Sequence, residues 1–363
     1  MAERLKDVFF TEASVRAMAD AIKGVYARFN KSRFVQLVFD DAFAGLELKQ
    51  MMRHTTVCLH QMLPKSYRRA VKILMGAAPK VNGFEAMCLP DYVELYGLDD
   101  WEVSMEALAL FTKYSSSEFA IRPFLKMDPK RGMAFMKKLA DDVDPNVRRF
   151  ASEGCRPRLP WAAALPQFKE DPSPILPILE KLKSDESEFV RKSVANNLND
   201  ISQDHPDLVM GLCEKWFGKS KRTDWIIKRA CRTMLKSGDR RAMRLFGFDD
   251  PKFIGVSKFK VDRNKPAIGD QLEFSFALDV GTKKVCKARL EYIVYFTKAN
   301  GKVGTKVFQI TEGSYEPGKH VFTKKHSFAD QSTRKHYPGR HEIAIVVNGV
   351  EKSRKGFTLV RKR

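Results

Sequence analysis

Apolar residues recur at three- and four-residue spacing from Lys6 to about Phe248, as in Phe34, Leu37 and Val38 or Met133, Met136 and Leu139. This is the period of amphipathic helices. The pattern breaks at Leu63-Pro64, Asp128-Pro129, Asp144-Pro145, Asp171-Pro172-Ser173-Pro174, His205-Pro206 and Gly238-Asp239, and a new helical pattern follows each break. Many helices joined by short turns are predicted. After Pro251 the period shortens to two, in Val256-Ser257-Lys258-Phe259-Lys260-Val261, Leu272-Glu273-Phe274-Ser275-Phe276, Leu290-Glu291-Tyr292-Ile293-Val294-Tyr295-Phe296 and Glu342-Ile343-Ala344-Ile345-Val346-Val347. Gly269, Gly281, Gly301, Gly318 and Gly339 punctuate these runs. Roughly seven strands in about 110 residues predict an immunoglobulin-like β-sandwich.

Three of the helices carry related sequences. Asp144-Pro145-Asn146-Val147-Arg148-Arg149-Phe150-Ala151 is echoed 43 residues later by Glu188-Phe189-Val190-Arg191-Lys192-Ser193-Val194, and more loosely by Trp225-Ile226-Ile227-Lys228-Arg229-Ala230. An apolar residue followed by two basic ones, returning at about 40 residues, resembles a HEAT-type repeat, whose stacked helix pairs offer one concave face to a long ligand. The expected division is a helical domain over 1–250 and a β-sandwich over 251–363, an α plus β multidomain chain. A length of 363 residues agrees with more than one core.

Charge adds a partner class. The chain holds 65 Lys+Arg against 44 Asp+Glu, a net +21. Residues 1–250 hold 41 and 34 of these and residues 251–363 hold 24 and 10, so two thirds of the excess lies in the last third. Such asymmetry points to a polyanion, nucleic acid or an anionic membrane surface. The amino terminus, MAERLKDVFF, has no secretory apolar stretch, and no run reaches the roughly 18 apolar residues of a spanning helix. A cytoplasmic location is expected. Cys58, Cys88, Cys155, Cys213, Cys231 and Cys286 are dispersed without a C-x-x-C pair, as in a reducing compartment.

Common catalytic signatures are missing. His341-Glu342 has Ile345 where a zinc-binding motif needs its second histidine, and Gly218-Lys219-Ser220 has Cys213 where a phosphate loop needs its first glycine. Neither a metal cluster nor a dinucleotide turn is present, so no cofactor is expected. The available chemistry is that of carboxylates and basic groups.

Five stretches together are similar to the AlkC branch of the HEAT-like-repeat DNA alkylation repair glycosylases. They are Leu46-Glu47-Leu48-Lys49 with Arg53-His54; Ser117-Glu118-Phe119-Ala120-Ile121-Arg122-Pro123-Phe124; Ala151-Ser152-Glu153-Gly154-Cys155-Arg156-Pro157-Arg158-Leu159-Pro160-Trp161; Ala195-Asn196-Asn197-Leu198-Asn199-Asp200; and Trp225 to Ala230. The resemblance covers essentially the whole chain. It implies excision of bases methylated at N3, chiefly 3-methylcytosine and 3-methyladenine, from duplex DNA by hydrolysis of the N-glycosidic bond. It also implies a carboxy-terminal immunoglobulin-like domain and capture of the lesion on a bent duplex without a deep base pocket.

The same resemblance places Glu118 and Glu153 beside the lesion deoxyribose, with Asp200 as a third acid and Trp161 packing on the sugar or base. Helix-surface ion pairs are the plainer alternative, since Arg122 lies four residues after Glu118 and Arg149 four before Glu153. Asp200 is equally readable as a turn cap and Trp161 as a core wedge. Arg156 and Arg158, flanking Pro157, are expected to clamp backbone phosphates. Arg148, Arg149, Lys192, Lys228 and Arg229 are expected along the concave face. In the sandwich, Lys283, Lys284, Lys287, Arg289, Arg334 and Lys335 are expected to contact phosphates through turns. The expected partner is alkylated double-stranded DNA, bound by a monomer that associates with the bacterial nucleoid, with no membrane contact. The rival reading is a non-catalytic DNA-binding scaffold, which has no use for acids on a phosphate-facing surface.

Overall fold

A computed structural model describes residues 8–331 and 334–361. Lys6, where the helical pattern starts, lies outside them. Among the described residues, sixteen α-helices precede seven β-strands. The proline breaks fall between helices. Pro129 opens the helix Pro129–Leu139, and the Asp128 carboxylate accepts from Arg131 N–H at 3.0 Å. Pro145 opens Pro145–Gly154, and Asp144 accepts from Asn146 N–H at 2.8 Å. Each cap satisfies a backbone donor that the first helical turn leaves unpaired.

The echoed sequences lie on helices that pack in series, Pro145–Gly154 against Glu188–Ile201 and the latter against Lys221–Ala230. Val147, Val190, Ile226 and Ile227 are fully buried between them. Burial of each such side chain contributes about 1.5–3 kcal/mol. The first arginine of the echo has a structural task. Arg148 Nη1 donates to the carbonyls of Asp142 and Val143 at 3.0 and 2.9 Å, and Arg191 Nη1 donates to those of Asp185 and Glu186 at 2.8 and 2.7 Å. Both thus fasten the turn five and six residues before them, and the repetition in sequence is a repetition of this tie.

The strands are β1 (Ile254–Val261), β2 (Gln271–Val280), β3 (Cys286–Thr297), β4 (Val303–Tyr315), β5 (Gly318–Ser327), β6 (Gly339–Val347) and β7 (Val350–Leu359). They form two antiparallel sheets, ordered β1-β2-β5 and β4-β3-β6-β7. Alternate residues of β2 (Leu272, Phe274, Phe276, Leu278) and of β3 and β6 (Leu290, Tyr292, Val294, Ile343, Ile345, Val347) fill the space between them. This is the immunoglobulin-like sandwich that the alternation predicts.

The compact units divide between Ala230 and Cys231, earlier than the start of the sheet. Residues 231–250 therefore group with the sandwich. The reason is visible at Gly238 and Gly349, both at positive φ: a Cβ on Gly238 would come within 2.9 Å of the Gly349 carbonyl oxygen. Asn348 Nδ2 also donates to the Asp249 carbonyl at 2.9 Å. No helix among the described residues is long and apolar enough to cross a membrane.

Candidate active site

Three acids that are distant in sequence come together in the helical unit. Glu118 lies in the turn before the helix Arg122–Met127, Glu153 at the end of Pro145–Gly154 and Asp200 at the end of Glu188–Ile201. Two arginines alternate with them. Arg149 Nη1 and Nη2 donate to Glu118 at 3.1 and 3.3 Å, and Nη2 stands 3.5 Å from Glu153 Oε1. Arg156 Nη1 donates to Glu153 Oε1 at 2.7 Å, while its Nε and Nη2 reach Asp200 at 2.8 and 3.2 Å. Ser193 Oγ donates to the second oxygen of Glu153 at 2.6 Å.

The result is a continuous row, Glu118, Arg149, Glu153, Arg156, Asp200, with one more acid than base. Its acids are only 4–8% exposed. Desolvating a carboxylate costs several kcal/mol unless a hydrogen-bonded cation faces it, and the interposed guanidiniums supply that partner. An acid-rich row within a protein of net +21 is suited to a cationic ligand.

Arg122 does not pair with Glu118, because residues 118–121 form a turn and not the helix that four-residue spacing presumes. Its guanidinium, 2% exposed, instead donates to the carbonyls of Ala163, Gly154 and Arg156 at 2.7, 3.2 and 2.9 Å. Burial depresses its pKa to about 10. It ties both ends of the segment that carries Trp161. Lys49 holds the middle, its Nζ donating to the Trp161 carbonyl at 2.6 Å. Sequence reasoning gave Lys49 no role and Arg122 only the pairing with Glu118; the basic residue within each matched stretch was the available signal.

Trp161 has φ 63° and is 61% exposed. A non-glycine residue in the left-handed region costs about 1–2 kcal/mol, and an exposed indole forgoes burial. Beside its segment Lys49, Glu94, Phe119, Arg122, Lys126 and Ala163 surround a recess of about 300 Å³.

Several expected phosphate contacts are corrected. Every guanidinium nitrogen of Arg156 donates to Glu153 or Asp200, and the residue is 6% exposed. Arg148 spends its Nε and Nη2 on Asp185, at 2.7 and 3.1 Å, and its Nη1 on the turn carbonyls. In the sandwich unit Arg289 is buried between Glu291 and Glu312. None of the three presents a free guanidinium edge to a backbone phosphate.

The remaining basic residues stay nearer the surface. Arg158 pairs with Asp204 at 2.6 Å, Lys192 pairs with Glu188 at 2.7 Å, and Lys228 is half-buried. Arg229 lies exposed with its guanidinium 5.8 Å from the Trp225 ring centroid. Lys283, Lys284, Lys287 and Lys335 are exposed and Arg334 half-buried in the second unit.

Fold and site thus define a helical-repeat protein with an immunoglobulin-like unit and a paired acidic row. Residues 114–234 match the family model described as DNA alkylation repair enzyme, and residues 255–361 match the C-terminal Ig-like domain of YhaZ. The chain is 44% identical over 354 residues to the uncharacterized protein YhaZ of Bacillus subtilis (strain 168), covering 97% of this chain and 98% of the relative. It is 36% identical to Pseudomonas fluorescens alkylpurine DNA glycosylase AlkC, whose structure was solved bound to DNA containing an abasic site analog. That match has a TM-score of 0.94 and covers 98% of this chain and 99% of the other. The chain belongs to the AlkC family of DNA alkylation repair glycosylases.

Proposed function

We propose that the protein binds alkylated double-stranded DNA and hydrolyses the N-glycosidic bond of bases carrying a methyl group at N3, 3-methylcytosine and 3-methyladenine. The observation that carries this reading is the row from Glu118 to Asp200. Methylation at N3 makes the base cationic, so the C1′–N bond breaks with its electron pair passing to the base and no protonation of the leaving group. Positive charge then appears on the deoxyribose. Glu118 and Glu153 stabilise that charge, and one of them orients a water whose oxygen bonds C1′ as its proton passes to the carboxylate. Asp200 takes a narrower part than a direct contact: with both oxygens on Arg156, it positions that arginine against Glu153. Trp161 packs against the lesion sugar or base. Attack by water in place of an amine makes the enzyme monofunctional, leaving an abasic site.

The test incubates the protein with a duplex containing one 3-methylcytosine, in the presence of a chelator, and measures free base and abasic sites. Release well above the spontaneous rate is expected. Intact DNA binding without release would overturn the enzymatic reading in favour of a DNA-binding scaffold.

A further inference from the structure

Lys49 touches two segments of the site and belongs to neither. Its Nζ donates to the Trp161 carbonyl at 2.6 Å and stands 4.8 Å from the ring centroid of Phe119, which follows Glu118 in sequence. The residue is exposed, and ordering a long side chain at a surface costs rotamer entropy. Charge behind it offsets that cost. Lys49 and Arg53 lie four residues apart on the helix Leu48–Met62, hence on one face. Arg53 Nη2 lies 2.9 Å from Asp91 and 3.0 Å from Glu94, both on the helix Cys88–Tyr96. One guanidinium against two carboxylates leaves a negative charge over. Lys49, which lines the same recess as Glu94, is the second cation acting on both acids.

The residue it holds is one that would otherwise relax. Trp161 combines a left-handed φ of 63° with an indole 61% exposed, so neither its backbone nor its side chain is at rest there. Arg122 fastens Gly154, Arg156 and Ala163 on either side and leaves the apex between them free to turn. Among the described residues, the bond from Lys49 is the only hydrogen bond that reaches Trp161. Holding the carbonyl fixes the plane of the peptide that follows, and with it the direction of the indole. A charge-assisted hydrogen bond is among the stronger ones available for this.

We propose that Lys49 is a positioning residue for base excision, acting through the Trp161 carbonyl to aim the indole at the lesion. It touches neither base nor phosphate in this role. The inference rests on the proposed function, since Trp161 meets the lesion only there, and it adds a residue from the amino-terminal helices to a site otherwise built from residues 118–200.

The test uses the full-length protein and a duplex with one 3-methylcytosine. Lys49→Met removes the donor at similar length from an exposed position, and Lys49→Arg restores a donor. Single-turnover base release by Lys49→Met is expected to be about tenfold slower than wild type, with DNA affinity and its salt slope unchanged, and Lys49→Arg is expected to recover most of the rate. Lys49→Met/Trp161→Gly should release base no more slowly than Trp161→Gly, because the lysine acts only through the indole. Acrylamide quenching of Trp161, taken as the difference between each protein and its Trp161→Gly counterpart, should change in Lys49→Met. A wild-type rate in Lys49→Met, a further loss in the double variant, or a salt slope shallower by about 1, the sign of a phosphate contact, would overturn the proposal. Should wild type itself release no base, the proposed function fails and the quenching decides alone: a shifted Trp161 signal in Lys49→Met supports the positioning role, and an unshifted one ends it.

Discussion

Arg149 grips both carboxylate oxygens of Glu118 across 31 positions of sequence, at 3.1 and 3.3 Å. The same guanidinium stands 3.5 Å from Glu153. Two acids are therefore brought to one surface without facing each other directly. Arg156 repeats the arrangement between Glu153 and Asp200. Such a row keeps anionic groups fixed while the interposed guanidiniums meet their desolvation.

Glu118→Gln and Glu153→Gln each remove one acid and leave the shape. Base release from a 3-methylcytosine duplex under single-turnover conditions is expected to fall by roughly 10²–10³. DNA affinity should hold or rise, since an anion is lost. A variant that released base at the wild-type rate would have no place in the proposed chemistry.

Arg156→Met leaves Glu153 and Asp200 buried without their shared cation. A stability loss of about 3–5 kcal/mol is expected by chemical denaturation. The salt slope of DNA binding should stay unchanged, because this arginine touches carboxylates and not phosphate. A slope reduced by about 1 would return Arg156 to the phosphate-clamping role.

Trp161 separates strain from function. Trp161→Gly and Trp161→Ala both delete the indole and should both slow base release. Only glycine suits φ 63°, so the alanine variant is expected to be less stable by about 1 kcal/mol. Equal melting temperatures would mean that the segment relaxes when the indole is removed.

His326 makes the sandwich sensitive to acid. Burial first, then His336, Arg334 and Lys306, depress its pKa from 6.5 to about 4. The unfolded chain takes up the proton below pH 6.5 while the folded one resists it. Stability is therefore full above pH 6.5 and falls as pH drops toward 4, by on the order of 3 kcal/mol. Burial moves His336 and His341 in the same direction. Calorimetry of the sandwich transition between pH 7.5 and 4.5 measures this, and His326→Gln should flatten the dependence.

Much of the architecture was legible because it is written locally. Helical spacing, proline breaks and the change of period at Pro251 describe residues within one or two turns of each other, and the structure places helices and strands accordingly. Strand β5 was harder to read: Lys319, Lys324 and Lys325 and the exposed Val321 blur its alternation. The site was legible as a set of residue types and positions through the resemblance. Its wiring was not.

Arg148 and Arg149 show why. They are neighbours in sequence, yet one reaches Asp185 and the other Glu118, since successive helical residues point about 100° apart. Arg156 and Arg158 flank Pro157, and one is buried in the acidic row while the other pairs near the surface with Asp204. The chain by itself determined the elements, their order and the stock of acids and bases, because periodicity and turn chemistry act over short range. Glu153 meets Arg149 and Arg156 within one helical turn, as three- and four-residue spacing allows. Which cation faces Glu118, Asp185, Asp200 and Asp204 was decided only by tertiary packing, since those partners lie 31 to 46 residues apart and only stacked helices bring them within hydrogen-bonding distance.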